Sequence, residues 1–343
     1  MKQLLNTLYV TTQGAWLAKD GETVVVRVEH EDRIRVPIHT LGAIVCFGQV
    51  SCSPFVMGMC GERGVALCFL TEHGRFLARS EGPVSGNVLL RREQYRWADR
   101  DDRSAVVAKA VVLAKVANCR TVVQRALREK PEGDGVQQME WAVRRLGRLL
   151  EEVSSASGVD EVRGHEGDAA RVYFGVFDSL ITASKDEFFF QGRNRRPPLD
   201  NVNALLSFAY TLLTHDIAGA LEAVGLDPAV GYLHRDRPGR PSLALDLLEE
   251  LRPVIADRLV LSLINRRQVN GSGFRKTEAG GVVMDDGTRK EFLVAYQNRK
   301  QEEIQHPFLG ERVAFGLVPH LQALLLARFI RGDIDGYPAF IWK

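Results

Sequence analysis

The stretch SAVVAKAVVLAKVANCRTVVQRALR, Ser104–Arg128, decides the fold class, because here the hydrophobic period of the chain changes. Its apolar residues recur at helical spacing, and the pattern resumes over Val136–Val153 after Glu129-Lys130-Pro131-Glu132-Gly133-Asp134-Gly135, a solvated turn. Further helices are expected at about 160–185, 202–224, 243–264, 288–303 and 309–330. Between them, Phe274 to Thr277 and Val282 to Met284 flank Glu278-Ala279-Gly280-Gly281, the pattern of a small hairpin. Upstream the period is different. Leu4 to Val10, Ala15 to Leu17, Val24 to Val28 and Ile34 to Ile38 read as short strands, punctuated by Gly14, Asp20-Gly21 and Asp32-Arg33. Asp20-Gly21 suits a hairpin because both residues tolerate positive φ. One helix, from Ser53 or Pro54 to Gly61 or Gly64, interrupts the strands, which return at Val65 to Leu70 and Phe76 to Ala78. The expectation is an α+β chain: a small, mainly-β domain over 1–85, a joint at Gly82-Pro83 to Gly86, and a larger, mainly-α domain over 86–343.

A length of 343 residues allows two domains with cores of their own, and 45% hydrophobic with 26% charged residues excludes global disorder. A net charge of +2 decides nothing about partners, since a basic patch can hide inside a balanced total. Cys46, Cys52, Cys60, Cys68 and Cys119 have no C-x-x-C spacing and read as small hydrophobes with free thiols, not as a zinc site. Met1-Lys2-Gln3-Leu4-Leu5-Asn6 lacks the apolar core of a signal peptide. No apolar run reaches membrane-spanning length; the best candidates are broken by Lys109 and Lys115, or by Pro319 and His320. A soluble, cytoplasmic protein without a membrane partner is expected.

Three stretches carry the chemistry: His165-Glu166-Gly167-Asp168-Ala169-Ala170, His234 in a Gly/Pro-flanked loop, and Asp246-Leu247-Leu248-Glu249. Asp246 and Glu249 are three apart, so on a helix they project from nearly the same face, amid Leu243, Leu245, Leu247, Leu248 and Leu251. Taken singly, each is most often a solvated acid or a loop histidine bonded to a carbonyl. Taken together, two carboxylates and an imidazole suit Mn²⁺ or Mg²⁺ with positions left for water and phosphate oxygens. The surroundings are basic. Arg163 and Arg171 bracket Glu166; Arg235, Arg237 and Arg240 follow His234; Arg193, Arg195 and Arg196 lie in a Pro-containing loop after Glu187-Phe188-Phe189-Phe190. Arg266, Arg267, Arg275, Lys276, Arg289, Lys290, Arg299 and Lys300 stud the later part. The concentration reads as a phosphate-tracking surface, and the residues alone point to a metal-dependent phosphodiester enzyme without a chosen substrate.

The HEGDAA stretch, Asn203-Ala204-Leu205-Leu206-Ser207-Phe208-Ala209-Tyr210 and the segment from His234 to Pro253 together resemble the CRISPR-associated protein one family, the integrase of the spacer-acquisition complex. Arg91-Arg92-Glu93-Gln94-Tyr95-Arg96 and the closing Tyr337-Pro338-Ala339-Phe340-Ile341-Trp342-Lys343 are similar to its type I-C branch. The resemblance covers essentially the full length. It implies that Glu166, His234 and Glu249 are the metal ligands, with Asp246 in a supporting or alternative metal role. Some relatives have Asp where this chain has Glu249. It also implies a homodimer joined mainly through the β domains, two such dimers flanking a dimer of CRISPR-associated protein two in a heterohexamer. The implied substrates are double-stranded and branched DNA, and the implied reaction is attack by a fragment's 3′-hydroxyl on a phosphodiester at the repeat boundary. Two rival readings use the same residues: a nuclease of branched DNA that does not integrate, and a non-catalytic DNA-binding scaffold whose acids pair with local arginines.

Overall fold

The computed structural model describes residues 5–82 and 88–342, so the joint from 83 onward and the first four residues lie outside the described part. The chain divides into two compact units, Met1–Ser85 and Gly86–Lys343. The first is strand-rich and the second mostly helical, an α+β architecture.

In the first unit, β1 (Asn6–Val10), β5 (Leu41–Phe47), β7 (Ala66–Leu70) and β8 (Phe76–Ser80) form one sheet. A second sheet runs β4 (Glu31–Pro37), β3 (Thr23–Val28), β2 (Trp16–Asp20), β6 (Ser51–Cys52). Their inner residues, among them Leu17, Val24, Val26, Leu41, Ile44 and Leu67, share one core with Val56, Met59 and Cys60 of α1 (Pro54–Arg63). Ser53 caps α1 and Gly64 ends it at φ 65°, as the sequence pattern announces. β5 is less legible. It is a continuous apolar run without alternation, because it lies between two parallel neighbours, β1 and β7. One expected turn is misplaced: Asp32-Arg33 lies inside β4, and the chain reverses at Glu29-His30, both at positive φ. Asp32 belongs to the strand because Arg27 across the sheet and Arg35 along it bond its carboxylate at 2.7 and 2.8 Å.

The second unit is built on α3 (Asp101–Glu129), whose buried stripe Ala108, Val111, Val112, Lys115, Cys119 and Val122 is packed by α4 (Val136–Ser155), α5 (Val159–Gly175) and α7 (Ser242–Arg252). α2 (Val88–Ala98) precedes α3, and α6 (Asn201–Val224) packs on α7. Contrary to the expectation that no apolar run reaches membrane-spanning length, α6 is long and apolar enough to cross a membrane. It is the core helix of this unit, with Val202, Leu205, Leu206, Phe208, Leu212 and Leu213 all buried.

Two helices are shorter than expected. α5 ends at Gly175, not near 185, because Phe177 turns into a cluster with Tyr173, Phe174 and Phe190, and Asp178 accepts from Phe190 N. The last helix, α10 (Val318–Arg331), starts nine residues late. Residues 309–317 instead turn at Gly310 and form β12 (Arg312–Ala314) against β11 (Glu303–Gln305). The expected helix at 243–264 is α7 and α8 (Arg258–Asn265) joined by a π turn at Pro253–Asp257, where Pro253 has no N–H to continue the α pattern. β9 (Phe274–Lys276) and β10 (Val282–Met284) form the expected hairpin, followed by α9 (Asp286–Gln301).

All five cysteines are free thiols, and burial pushes Cys60 and Cys119 up to about 12. The C-terminal segment Tyr337–Trp342 straps the site helices together. Phe340 N and the Tyr337 hydroxyl donate to buried Glu250 of α7, and Trp342 N donates to Asn118 of α3.

Candidate active site

Lys115, Glu166 and Glu249 meet where α3, α5 and α7 come together. Their register on three helices, not their sequence spacing, makes the encounter. Glu249 Oε2 lies 2.6 Å from the Lys115 ammonium, and Glu166 Oε1 accepts a short hydrogen bond from the same nitrogen. Lys115 is fully buried, while the Glu249 and Glu166 side chains are 12% and 25% exposed, so the cluster opens on the carboxylate side. Arg252, one turn after Glu249, adds a second cation at 3.1 Å. Burial works against ionising Glu249, but Arg252 and Lys115 outweigh it and hold the carboxyl below its ordinary value.

His234 is positioned from below. Asp246 is completely buried, and its carboxylate accepts backbone N–H groups from Tyr232 (2.6 Å), Leu233 (3.0 Å) and His234 (2.9 Å). Its Oδ1 also meets His234 Nδ1 at 2.7 Å. Four donors on one carboxylate leave Asp246 little capacity to ligate a metal directly; its role is to hold the loop and fix the imidazole. With Nδ1–H given to Asp246, Nε2 keeps its lone pair, the arrangement of a metal-binding histidine. Gly231 permits this fold-back, since a Cβ there would fall within 2.9 Å of Ser242 and Asp246 atoms. Arg163 Nε braces the loop through Leu233 O at 2.5 Å, and Arg235 reaches Asp160, which Arg163 also holds.

The sequence reading set Glu166, His234 and Glu249 around one ion. The structure brings the two carboxylates to one cation, but that cation is Lys115. Among the described residues no three His, Cys, Asp or Glu side chains stand ready to hold a metal as they are. The donor set nevertheless fits a divalent cation. Glu249 Oε2 is buried against two cations, Lys115 and Arg252, Glu166 faces the same Lys115 ammonium, and the His234 imidazole is fixed with Nε2 free of Asp246. Lys115 is the residue that sequence reasoning missed. It was legible as a lysine set at i+4 and i+3 from Val111 and Val112 in an otherwise apolar stripe, where a charge needs buried partners.

The arginines separate into two groups. Arg195, Arg196, Arg266 and Arg267 are exposed, and Arg171 is exposed beside Asp168. Arg193, expected among the phosphate-tracking side chains, is engaged within the protein: its guanidinium bonds Asn194 O, Asn203 Oδ1 and Ser207 Oγ and stacks 5.1 Å over Tyr210. Burial holds it below the ordinary arginine value, as it does for half-buried Arg240. Arg289, Arg299 and Lys300 are likewise bound structurally, to Asp286, Glu302 and Asp216. Among the aromatics near these arginines and later in the chain, Phe188, Phe190, Tyr232 and Tyr296 are core residues, and Tyr210 donates to Asp257 at 2.5 Å. Phe189 is exposed.

Residues 8–298 match the family model described as CRISPR associated protein Cas1. A curated relative from Chlorobaculum tepidum, "CRISPR-associated endonuclease Cas1 1", is 56% identical over 343 residues, covering all of both chains. The fold resembles that of a casposase bound to integration product, with TM-score 0.84 and 20% identity over 99% of this chain and 95% of that one. It also resembles a chain of a Cas6-RT-Cas1–Cas2 complex, with TM-score 0.83 and 21% identity over 100% of this chain and 36% of that one.

Proposed function

The chain belongs to the Cas1 family of CRISPR-associated proteins, and on that premise we propose that it is a metal-dependent DNA endonuclease and integrase of CRISPR adaptation. The observation that carries the reading is the convergence of Glu166 and Glu249, from separate helices, on one buried cation, with Asp246 of the Glu249 helix orienting the His234 imidazole. Glu166, Glu249 and His234 Nε2 would hold Mn²⁺ or Mg²⁺. Such an ion supplies Lewis-acid polarisation of a phosphoryl oxygen and eases deprotonation of the attacking hydroxyl.

The chain's own residues do the rest. Asp246 keeps the His234 tautomer, Arg163 holds the His234 loop through Leu233 O, and Arg252 keeps Glu249 ionised. Exposed Arg195, Arg196, Arg266 and Arg267 attract the DNA backbone. In the reaction, the 3′-oxygen of a short fragment forms a bond to the target phosphorus as the bond from that phosphorus to the 3′-oxygen of the nucleotide flanking the repeat breaks, with the proton passing from the attacking to the leaving oxygen. With water as nucleophile the same site cuts DNA, branched forms included. A homodimer through the strand-rich units and assembly with a Cas2 dimer complete the proposal, supported by the fold's likeness to a chain of a Cas1–Cas2 complex.

The test compares wild type with Glu166→Ala, His234→Ala and Glu249→Ala on branched DNA in Mn²⁺ and in EDTA. It adds a supercoiled plasmid carrying the array together with a 3′-hydroxyl duplex. Loss of cutting and joining with DNA affinity kept is expected. Cutting without joined products leaves only the nuclease, and turnover retained in all three variants refutes the site.

A further inference from the structure

Lys115 is the buried charge that the proposed reaction does not use. It sits in the middle of α3, on the stripe that packs against α5 and α7, with a side chain that has no exposure. Its ammonium is shared by Glu166 and Glu249, the two carboxylates that would hold the metal. A lysine withdrawn this completely from water keeps its charge only through its partners, since removing one side of a buried pair leaves the other charge uncompensated. As it stands the cluster is balanced: two carboxylates against the Lys115 ammonium and the Arg252 guanidinium. Adding a divalent cation to all four would leave a net charge of about +2 in a mostly buried place, which desolvation penalises heavily.

We propose that Lys115 and the divalent cation compete for the same two carboxylates, so that metal binding is an exchange of one buried cation for another. Lys115 then sets how tightly the site takes its metal and keeps Glu166 and Glu249 together until it arrives. It is a positioning residue, acting through the carboxylates. The inference rests on the assignment of Glu166, His234 and Glu249 as the metal site.

The experiment measures Mn²⁺ binding by calorimetry and thermal unfolding in EDTA and in Mn²⁺, for wild type, His234→Ala, Lys115→Met and the polar neutral variant Lys115→Gln. In EDTA, Lys115→Met is expected to melt about 5 °C or more below wild type, since Glu166 loses the Lys115 ammonium and Glu249 is left with Arg252 alone. Mn²⁺ should raise its melting temperature by more than it raises that of wild type, and its Mn²⁺ dissociation constant should fall about tenfold or more. Lys115 variants that fold only with Mn²⁺ present support the exchange most directly. Binding unchanged or weakened in both Lys115 variants, while wild-type binding is lost in His234→Ala, overturns the exchange and leaves the metal site standing. Variants unfolded with and without Mn²⁺ also overturn it, because the lysine would then be needed whichever cation is present. Wild type that binds no Mn²⁺, or binds it indifferently to His234→Ala, removes the site assignment and the exchange together.

Discussion

Asp246→Asn is the sharpest perturbation available, because it keeps the shape of the side chain and changes only what its two outer atoms offer. Asp246 accepts from three backbone N–H groups and from His234 Nδ1, all within 2.6–3.0 Å and shielded from water. An asparagine oxygen can accept from one pair of these donors, but the amide nitrogen points N–H groups at the other pair. Two buried donors lose their acceptor at about 1–3 kcal/mol each, so unfolding free energy in EDTA should fall by about 3–4 kcal/mol. The imidazole has one escape. It can take the amide N–H at Nδ1 and carry its own proton on Nε2, which recovers part of the stability and removes the lone pair a metal needs. Mn²⁺ affinity should therefore fall about 10–100-fold even in folded protein. Urea unfolding and calorimetric Mn²⁺ titration read the two effects separately. An Asn variant within about 0.5 kcal/mol of wild type, with unchanged Mn²⁺ affinity, would refute the role given to Asp246.

Three further outcomes follow from particular side chains. Arg195→Ala with Arg196→Ala should lower the slope of log K against log salt by up to about 0.9 for each phosphate no longer neutralised, whereas Arg193→Ala should destabilise the fold; equal salt slopes for both would place the loop away from DNA. Deleting residues 337–343 strips Glu250 of its Tyr337 and Phe340 donors, and burial has already raised that carboxyl to about 7; a loss of about 3 kcal/mol or more in denaturant unfolding is expected, and a truncated chain as stable as the full one rules out the strap. His306 accepts Phe308 and Leu309 N–H on Nδ1 and meets Gln322 through Nε2, and burial holds its imidazole below 6.5 despite the Gln322 hydrogen bond. A depressed histidine contributes stability that is present above the unfolded value, near 6.5, and lost as pH falls through the folded one. Stability should thus drop by up to about 1.4 kcal/mol per pH unit below 6.5, and His306→Gln should flatten that limb.

Much of this was legible along the chain. Ser53-Pro54 and Gly64 mark α1 because a cap, a fixed φ and a left-handed stop are local requirements. The helical period of α3 and α4 is equally local. The failures have a shared cause. The end of α5 is set by Phe177 joining Phe190 thirteen residues away, and the late start of α10 by pairing of Arg312–Ala314 with Glu303–Gln305. Arg193 looked like one of three loop arginines, and only the packing of the loop onto Asn203, Ser207 and Tyr210 separates it from Arg195 and Arg196.

By itself the sequence determined where the strand period gives way to the helical one and which acids and histidine are candidates for chemistry, because periodicity and residue type are properties of the chain. Only the tertiary structure decided that Glu166 and Glu249 share a cation, that Lys115 supplies it, and that Asp246 serves His234. Those residues are brought together by the packing of α3, α5 and α7, and the energy of a charge depends on which partners and how much water surround it.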